Sequence, residues 1–233
     1  MLKERLQKLY AQAVELNHRN IIGLLEQNEG ATFLDLGCDD GELTKKFAEV
    51  IHTDRMYGVE VVDEAIQKAE ERGIAMKKFD LNARFDFGDN FFDVIHANQV
   101  IEHLHKTDNF ISEIHRILKP GGYAIISTEN ASSWCNIFAS IMGWQIFSLT
   151  NISSKKGAIG NPFSLHRDDR SILESWHHIR IYNIRGLKEY FEAFGFTTEA
   201  VRGAGYFPLP SRLGNIDTRH SHFMTMKFRK KVR

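Results

Sequence analysis

Residues 34–44 read LDLGCDDGELT. A short apolar run feeds a loop with glycines at Gly37 and Gly41. Behind it Leu43, Phe47, Val50 and Ile51 recur at helical spacing. A strand, a glycine turn and a helix in that order are how an open α/β sheet cradles a ligand at its carboxyl edge. The glycines let the backbone turn tightly and let a ligand approach the main chain. The spacing is G-x-x-x-G, short of the full dinucleotide fingerprint. Glu60, 19 residues after Gly41, ends the next strand, where a carboxylate can accept hydrogen bonds from both hydroxyls of a ribose.

Charge narrows the choice of nucleoside. A pyrophosphate beside Asp39, Asp40 and Glu42 would meet like charges costing roughly 1–4 kcal/mol each at effective dielectrics of 20–80. The loop holds no lysine, and the lysine and hydroxyl of a phosphate loop are missing. S-adenosylmethionine has no phosphate but carries a sulfonium and an ammonium, both favoured by acids. The loop therefore suits a cationic nucleoside.

Outward from this stretch, strand and helix signals alternate. An amphipathic helix over about 3–26 precedes the strand ATFLDLG. RMYGVEVV then reads as a strand and DEAIQKAEERG as a helix capped by Asp63 and closed by Gly73. AMKKFDL and FFDVIHANQV read as strands. Asp108 is placed to cap a helix that stops at Lys119-Pro120-Gly121-Gly122, before the strand YAIISTEN. NIRGLKEYFEAFGF repeats the cap, stripe and glycine pattern from Asn183 to Gly195, and TTEAVRG and HSHFMTMKF read as closing strands. Strands separated by helices predict βαβ units with right-handed crossovers. The expected fold is α/β, Rossmann-like and doubly wound, with a mostly parallel seven-stranded sheet, helices on both faces and a helical cap insertion.

The rhythm breaks at 131–182, which carries Trp134, Phe138, Trp144, Phe147, Phe163 and Trp176. A structureless loop that long is improbable in a compact domain. Its polar stretch TNISSKKGAIGN cannot pack as a core, which predicts a lid with a mobile tip. The chain thus divides into an N-terminal helical region (1–29), a cofactor-binding core (30–130), the cap insertion (131–182), and a C-terminal helix with the last strands (183–233), all within one domain.

The chain's 233 residues balance 30 basic against 30 acidic side chains. No global field then steers it to nucleic acid or an anionic membrane. The basic run KFRKKVR reads as a solvated end. No apolar stretch reaches a membrane span, and the N-terminal segment is unlike a targeting signal. Cys38 and Cys135 form no disulfide framework, so a cytoplasmic location is expected. Nothing fixes the oligomeric state.

LDLGCDDGELT resembles motif I of the class I S-adenosylmethionine-dependent methyltransferases, and the resemblance runs over roughly 30–130 and more loosely to 228. GVEVVDEAI resembles the second motif, with Glu60 as the ribose acid and Val61 beside it. FDLN resembles the third, where Asp80 would bind the adenine amine and Leu81 would line the base. NQVIEHL and LKPGGYAIISTEN resemble the segments after the fourth strand and around the fifth. Within the family the sequence is most similar to the ubiquinone-biosynthesis O-methyltransferase-like (type 11) group. The resemblance implies a cofactor site of Asp35, Gly37, Cys38, Asp39, Gly41, Glu60, Val61, Asp80, Leu81, Asn98 and Gln99. Where the family usually has glycine this chain has Asp39, a residue type that tolerates a left-handed backbone. Its carboxylate either faces the methionine ammonium or lies in solvent.

The resemblance also places Glu102 and His103 beside the transferred methyl, as the candidate catalytic pair. Some relatives bind a magnesium-like ion through E-x-x-E-H here, but Gln99 replaces the first glutamate, so no metal is expected. His103 is either a general base or a histidine that holds the loop. His96, inside a strand, reads as core; His105, His115 and His166 read as surface. His178 and Arg180 lie where they could reach substrate or form a packed hinge, and Glu129 borders the pocket, favouring a polar or cationic acceptor. No nucleophile elbow or metal-finger spacing occurs. The expected activity is methyl transfer to a hydroxyl or amine of a small molecule, such as a sugar or lipid intermediate. RNA 2′-O-methylation and a non-catalytic cofactor-binding module are the alternatives.

Overall fold

The computed structural model describes residues 2–153, 155–164 and 177–232. Its first half runs α1 (Leu2–Ile22), β1 (Phe33–Leu36), α2 (Glu42–Ile51), β2 (Met56–Val59), α3 (Asp63–Glu71), β3 (Ala75–Lys77) and β4 (Phe92–Asn98). Then come α4 (Thr107–Ile117), β5 (Leu118–Glu129), α5 (Trp134–Ile141), α6 (Ile184–Ala193), β6 (Phe196–Ala204) and β7 (Phe223–Lys230). The seven strands form one sheet in the order β3-β2-β1-β4-β5-β7-β6. The pairs β1–β2, β1–β4, β2–β3 and β4–β5 are parallel. His222 N–H donates to Gly205 O and Lys231 N–H to Gly195 O, so β6 and β7 run antiparallel. Asn130 N–H donates to His222 O at one end of β7 and Arg229 to Gly121 O at the other, so β5 and β7 are antiparallel as well, and the sheet is mixed with β7 the reversed strand.

β1 is buried along its whole length, the continuous burial expected of a central parallel strand covered on both faces. Strand order reverses between β1 and β4, which opens a crevice at their carboxyl ends. That is where LDLGCDDGELT leaves the sheet.

Contacts divide the chain into two units. One holds residues 21–127, 188–200 and 226–233; the other holds 1–20, 128–187 and 201–225. The core of the first gathers Phe33, Phe47, Ile51, Val94 and Ile125 around Ile21 and Leu24. The second is centred on Ala13, Ala204 and Phe223, with Tyr10, Val14 and Phe207 packed against them. Its buried Asn17 accepts from the Thr225 hydroxyl at 2.7 Å, and Asn20 donates to Gly203 O at 3.1 Å.

Several expectations are corrected. α1 ends at Ile22 rather than near 26. Asp63 is the first residue of α3, not its cap, and it pairs with Lys78 at 2.5 Å. α4 begins at Thr107, ahead of Asp108. Asn183 does cap α6, accepting from the Gly186 N–H at 2.8 Å. His115 is not a plain surface residue, since its ring lies edge-on to Phe196 at 5.3 Å.

The basic run at the C-terminus is not a solvated end. Lys227 and Lys230 are buried. Lys227 donates to Leu24 O at 2.9 Å and lies 4.0 Å over the Tyr123 ring. Lys230 donates to His115 O and Leu118 O, both at 2.7 Å, at the end of α4. Arg229 pairs with Glu26 and Glu199. A cation on the carbonyls of a helix C-terminus satisfies acceptors the helix cannot, and its charge suits the dipole.

The polar stretch of the insertion is not an unpacked tip either. Ala158 and Asn161 are 4% and 2% exposed. Asn161 donates to Gln145 O at 2.8 Å, and Ile159 N–H to Thr150 O at 3.1 Å. Hydrogen bonds let polar residues pack where apolar contacts are lacking. α5 supplies the expected helical content, while His166 and Trp176 lie outside the described residues.

Candidate functional site

The turn after β1 holds its shape through main-chain bonds. Gly37 and Cys38 both donate to Val59 O, at 2.8 and 3.2 Å. Gly37 and Gly41 are left-handed, at φ 72° and 78°, a region open to glycine at little cost. A Cβ on Gly37 would lie 2.7 Å from Val100 Cγ2, and one on Gly41 would lie 2.4 Å from Ile74 Cδ1. Glycine is thus required on both conformational and steric grounds. Asp39, at φ 48°, is left-handed as well.

Below the turn, Asp35 is drawn inward. Its two oxygens accept from Thr44 Oγ1 and face His96 Nδ1, each at 2.6 Å. The His96 ring packs edge-on to Phe47 at 4.8 Å, as the core reading of His96 requires. Asp35 therefore ties β1, α2 and β4 together, and at 2% exposed it lies within the core. Cys38 is buried with Sγ 3.8 Å from Met76 Sδ. Burial, then the nearby charges of Asp35 and Glu60, push its thiol far above the ordinary range, so it stays protonated.

Two of the three loop carboxylates are neutralised. Asp40 pairs with Arg72 of the α3 terminus at 3.1 Å, and Glu42 pairs with Lys46 at 2.5 Å. The phosphate-repelling field is therefore weaker than the loop sequence implies, and it concentrates on Asp39 and Glu60. Asp39 is exposed, and its carboxyl is held above its ordinary range by partial burial and by the charges of Asp40 and Glu60. A carboxylate in that state gains from a nearby cation.

Glu60 sits across the turn. Its Oε2 accepts the Asp39 N–H at 3.2 Å, and its Oε1 accepts those of Val61 and Val62 at 2.7 and 3.2 Å. A carboxylate offers about four accepting sites, so three backbone bonds leave Oε2 able to take one more. The sequence reading of two ribose hydroxyls on free oxygens is reduced accordingly. Val61 and Val62, 47% and 39% exposed, present apolar side chains beside it.

After β3, Asp80 is exposed and Leu81 nearly buried. Asp80 Oδ1 accepts the Asn82 N–H at 2.8 Å. Asn82 Oδ1 in turn accepts the N–H groups of His105 and Lys106, at 2.8 and 2.9 Å. Asn82 thereby joins the loop after β3 to the segment after β4. Sequence reasoning missed both Asn82 and Arg72, because side-chain bonds of 23 or 32 residues' separation leave no local pattern.

At the end of β4, Asn98 pairs in register with Ser127, and Gln99 N–H donates to Ser127 O at 2.8 Å. Gln99 has φ 56°, a conformation that costs energy for a side chain of this size and clusters at functional sites. Its Nε2 is buried without a hydrogen-bond partner among the described residues. The following turn, Ile101–His103, carries Glu102 fully buried and His103 half-buried.

The predicted residues thus gather at the carboxyl ends of β1, β2, β3 and β4. An exposed glycine without room for a Cβ, a partly occupied carboxylate, two open valines and an unpaired amide fit a nucleoside carrying an amino-acid end.

The second unit has a separate cavity of about 110 Å³, bordered by Tyr10, Glu129, Phe207 and His222 among others. His178 Nδ1 lies 2.7 Å from Ser148 O, and Tyr182 bridges to Asn130 as a short parallel strand.

Comparison with known proteins agrees with this geometry. A family model described as a methyltransferase domain matches residues 2–201. An uncharacterised methyltransferase of Schizosaccharomyces pombe is 32% identical over 114 residues, covering 44% of this chain and 41% of its own length. The mitochondrial ubiquinone biosynthesis O-methyltransferase of Rattus norvegicus is 26% identical over 126 residues, covering 50% and 36%. The chain thus spans about two fifths or less of these relatives. A crystal structure from Thermotoga maritima, described as a methyltransferase and possible histamine N-methyltransferase, shares the fold. It has TM-score 0.64 and 18% identity, covering 98% of this chain and 94% of that one. Since the family model reaches from α1 into β6 over a sheet of this order, the chain belongs to the methyltransferase-domain family, as a class I S-adenosylmethionine-dependent domain.

Proposed function

We propose that the chain transfers a methyl group from S-adenosylmethionine to a hydroxyl or amine of a small molecule. The observation that carries the reading is the left-handed turn Gly37–Gly41 bound through its Asp39 N–H to the ribose-type acid Glu60. The cofactor supplies an electrophilic methyl on a sulfonium. The chain supplies position and charge. The main chain of Gly37, Cys38 and Gly41 forms the floor, with Asp39 facing the positive amino-acid end. Glu60 takes a ribose hydroxyl, Val61 and Leu81 border the base, and Asp80 accepts from its amine. Asn98 and Gln99 hold the methionine end, where the buried Gln99 amide offers an N–H to a carboxylate. Asp35 supports the turn from the core.

His103, on the turn after β4, is the residue type able to take a proton from an acceptor at neutral pH, and Glu102 lies buried beside it. The name of the Rattus norvegicus relative supports an oxygen acceptor. RNA is disfavoured by the zero net charge, because binding to nucleic acid rests on neutralised phosphates.

The test is calorimetry with S-adenosylmethionine and S-adenosylhomocysteine, followed by a methyl-transfer screen over phenols, alcohols and amines. Micromolar binding of either and turnover of a small acceptor are expected. Tighter binding of NAD than of the sulfonium cofactor overturns the cofactor assignment, and binding without turnover of any small acceptor leaves the non-catalytic alternative.

A further inference from the structure

The cavity in the second unit is lined by aromatic rings interleaved with polar side chains. Tyr10, Phe147, Phe163 and Phe207 supply the rings, and Glu129 and His222 are its ionisable side chains. Its volume of about 110 Å³ is below the roughly 150 Å³ apolar cavity known to take benzene, so what it encloses is at most about one ring.

The Glu129–His222 pair is built and fixed. The His222 side chain is 7% exposed and that of Glu129 13%. His222 Nδ1 lies 3.5 Å from Cys135 Sγ, and its ring is held edge-on by Phe207 at 5.0 Å and Phe223 at 4.5 Å. Its other nitrogen, Nε2, has no hydrogen-bond partner among the described residues. It lies 3.9 Å from Glu129 Oε1, too far for a direct bond. Yet that span is short enough for one oxygen to lie within about 2.8 Å of both atoms. A carboxylate beside Nε2 keeps a ring proton there, while Nδ1 faces the Cys135 sulfur. Burial works against charging this ring, but the Cys135 contact and the Glu129 charge outweigh it and hold His222 above its ordinary range.

We propose that this cavity binds an apolar molecule of about one ring that carries a single hydroxyl group, seated between His222 Nε2 and Glu129 Oε1. The hydroxyl accepts from Nε2–H and donates to the carboxylate, whose oxygens can each accept more than one hydrogen bond. An ammonium donates to Glu129 but cannot accept from Nε2–H. An ether accepts and cannot donate. A hydrocarbon does neither, and leaves a buried N–H unpaired. The ligand's ring lies among the lining aromatic side chains. This site rests on no property of the cofactor site, and it selects an alcohol over an amine on grounds of its own.

The experiment uses the full chain without cofactor and four probes of similar size: benzyl alcohol, benzylamine, anisole and toluene. Affinities come from calorimetry, and the ring signals of labelled histidines locate the ligand by NMR. Benzyl alcohol is expected to bind at least tenfold more tightly than the other three and to shift the His222 signals. In Glu129→Gln that preference over toluene should shrink to threefold or less, while toluene affinity stays unchanged. If the variant does not fold, the parent series and the His222 shift still decide. Benzylamine or toluene binding as tightly as the alcohol, no binding up to millimolar concentration, or binding that leaves His222 unmoved overturns the proposal. Since the cofactor is absent throughout, failure here is separate from failure of the methyltransferase reading, which calorimetry with S-adenosylmethionine reports.

Discussion

Replacing Glu60 by alanine should weaken S-adenosylmethionine without unfolding the domain. In the parent, three backbone N–H groups occupy this carboxylate, leaving Oε2 one accepting position for a ribose hydroxyl. Losing one hydrogen bond to a charged group costs about 1.5–3 kcal/mol. At about 1.4 kcal/mol per tenfold, that predicts a dissociation constant raised roughly 10- to 150-fold. The freed N–H groups of Asp39, Val61 and Val62 belong to exposed residues, so water takes them over and the melting temperature should fall by only a few degrees, about 2–4 °C per kcal/mol. Isothermal calorimetry gives the affinity, and a melting curve with circular dichroism checks the fold. Glu60→Gln, which keeps one acceptor, should fall between the two. A folded Glu60→Ala protein that binds within twofold of the parent would refute the assignment of this carboxylate to the cofactor.

Asp39→Asn should reduce cofactor affinity about fivefold, the value of one charge facing a cation at about 4 Å in water. In the parent, affinity should rise as pH increases through the raised pKa of Asp39, and the variant should lose that rise. A raised acid stabilises the fold below its unfolded pKa and loses that contribution as pH rises through its folded one. Asp39→Asn should accordingly melt higher than the parent at neutral pH and equally at strongly acidic pH. Gly37→Ala must place a side chain at φ 72° and 2.7 Å from Val100 Cγ2; at about 1–2 kcal/mol for the left-handed backbone, thermal melting should drop by at least ~2–8 °C, and an unchanged melt would contradict the turn. Lys230→Met strips a buried ammonium from His115 O and Leu118 O and should cost about 2 kcal/mol. The exposed Lys231→Met should cost less than about 0.5 kcal/mol, and equal losses would return the basic run to solvent.

The sequence by itself determined the order of strands and helices and the place where they meet a ligand. Periodicity, glycines and caps act over a few residues, so Gly37, Gly41 and Asn183 could be read directly from LDLGCDDGELT and NIRGLKEYF. Family resemblance added Asp80, Asn98 and Gln99 to that site. Tertiary structure decided what those side chains are free to do. Arg72, 32 residues from Asp40, cancels a charge that the loop alone leaves bare, while Thr44 and His96 turn Asp35 inward. The chain's last cations pair with residues such as Leu24 and His115, so a run that looks solvated becomes part of the core. Likewise the polar insertion packs through Asn161 and Gln145. Hydrogen bonds and ion pairs need only proximity in space, and the chain sets that proximity by folding; no local pattern of residue types records it.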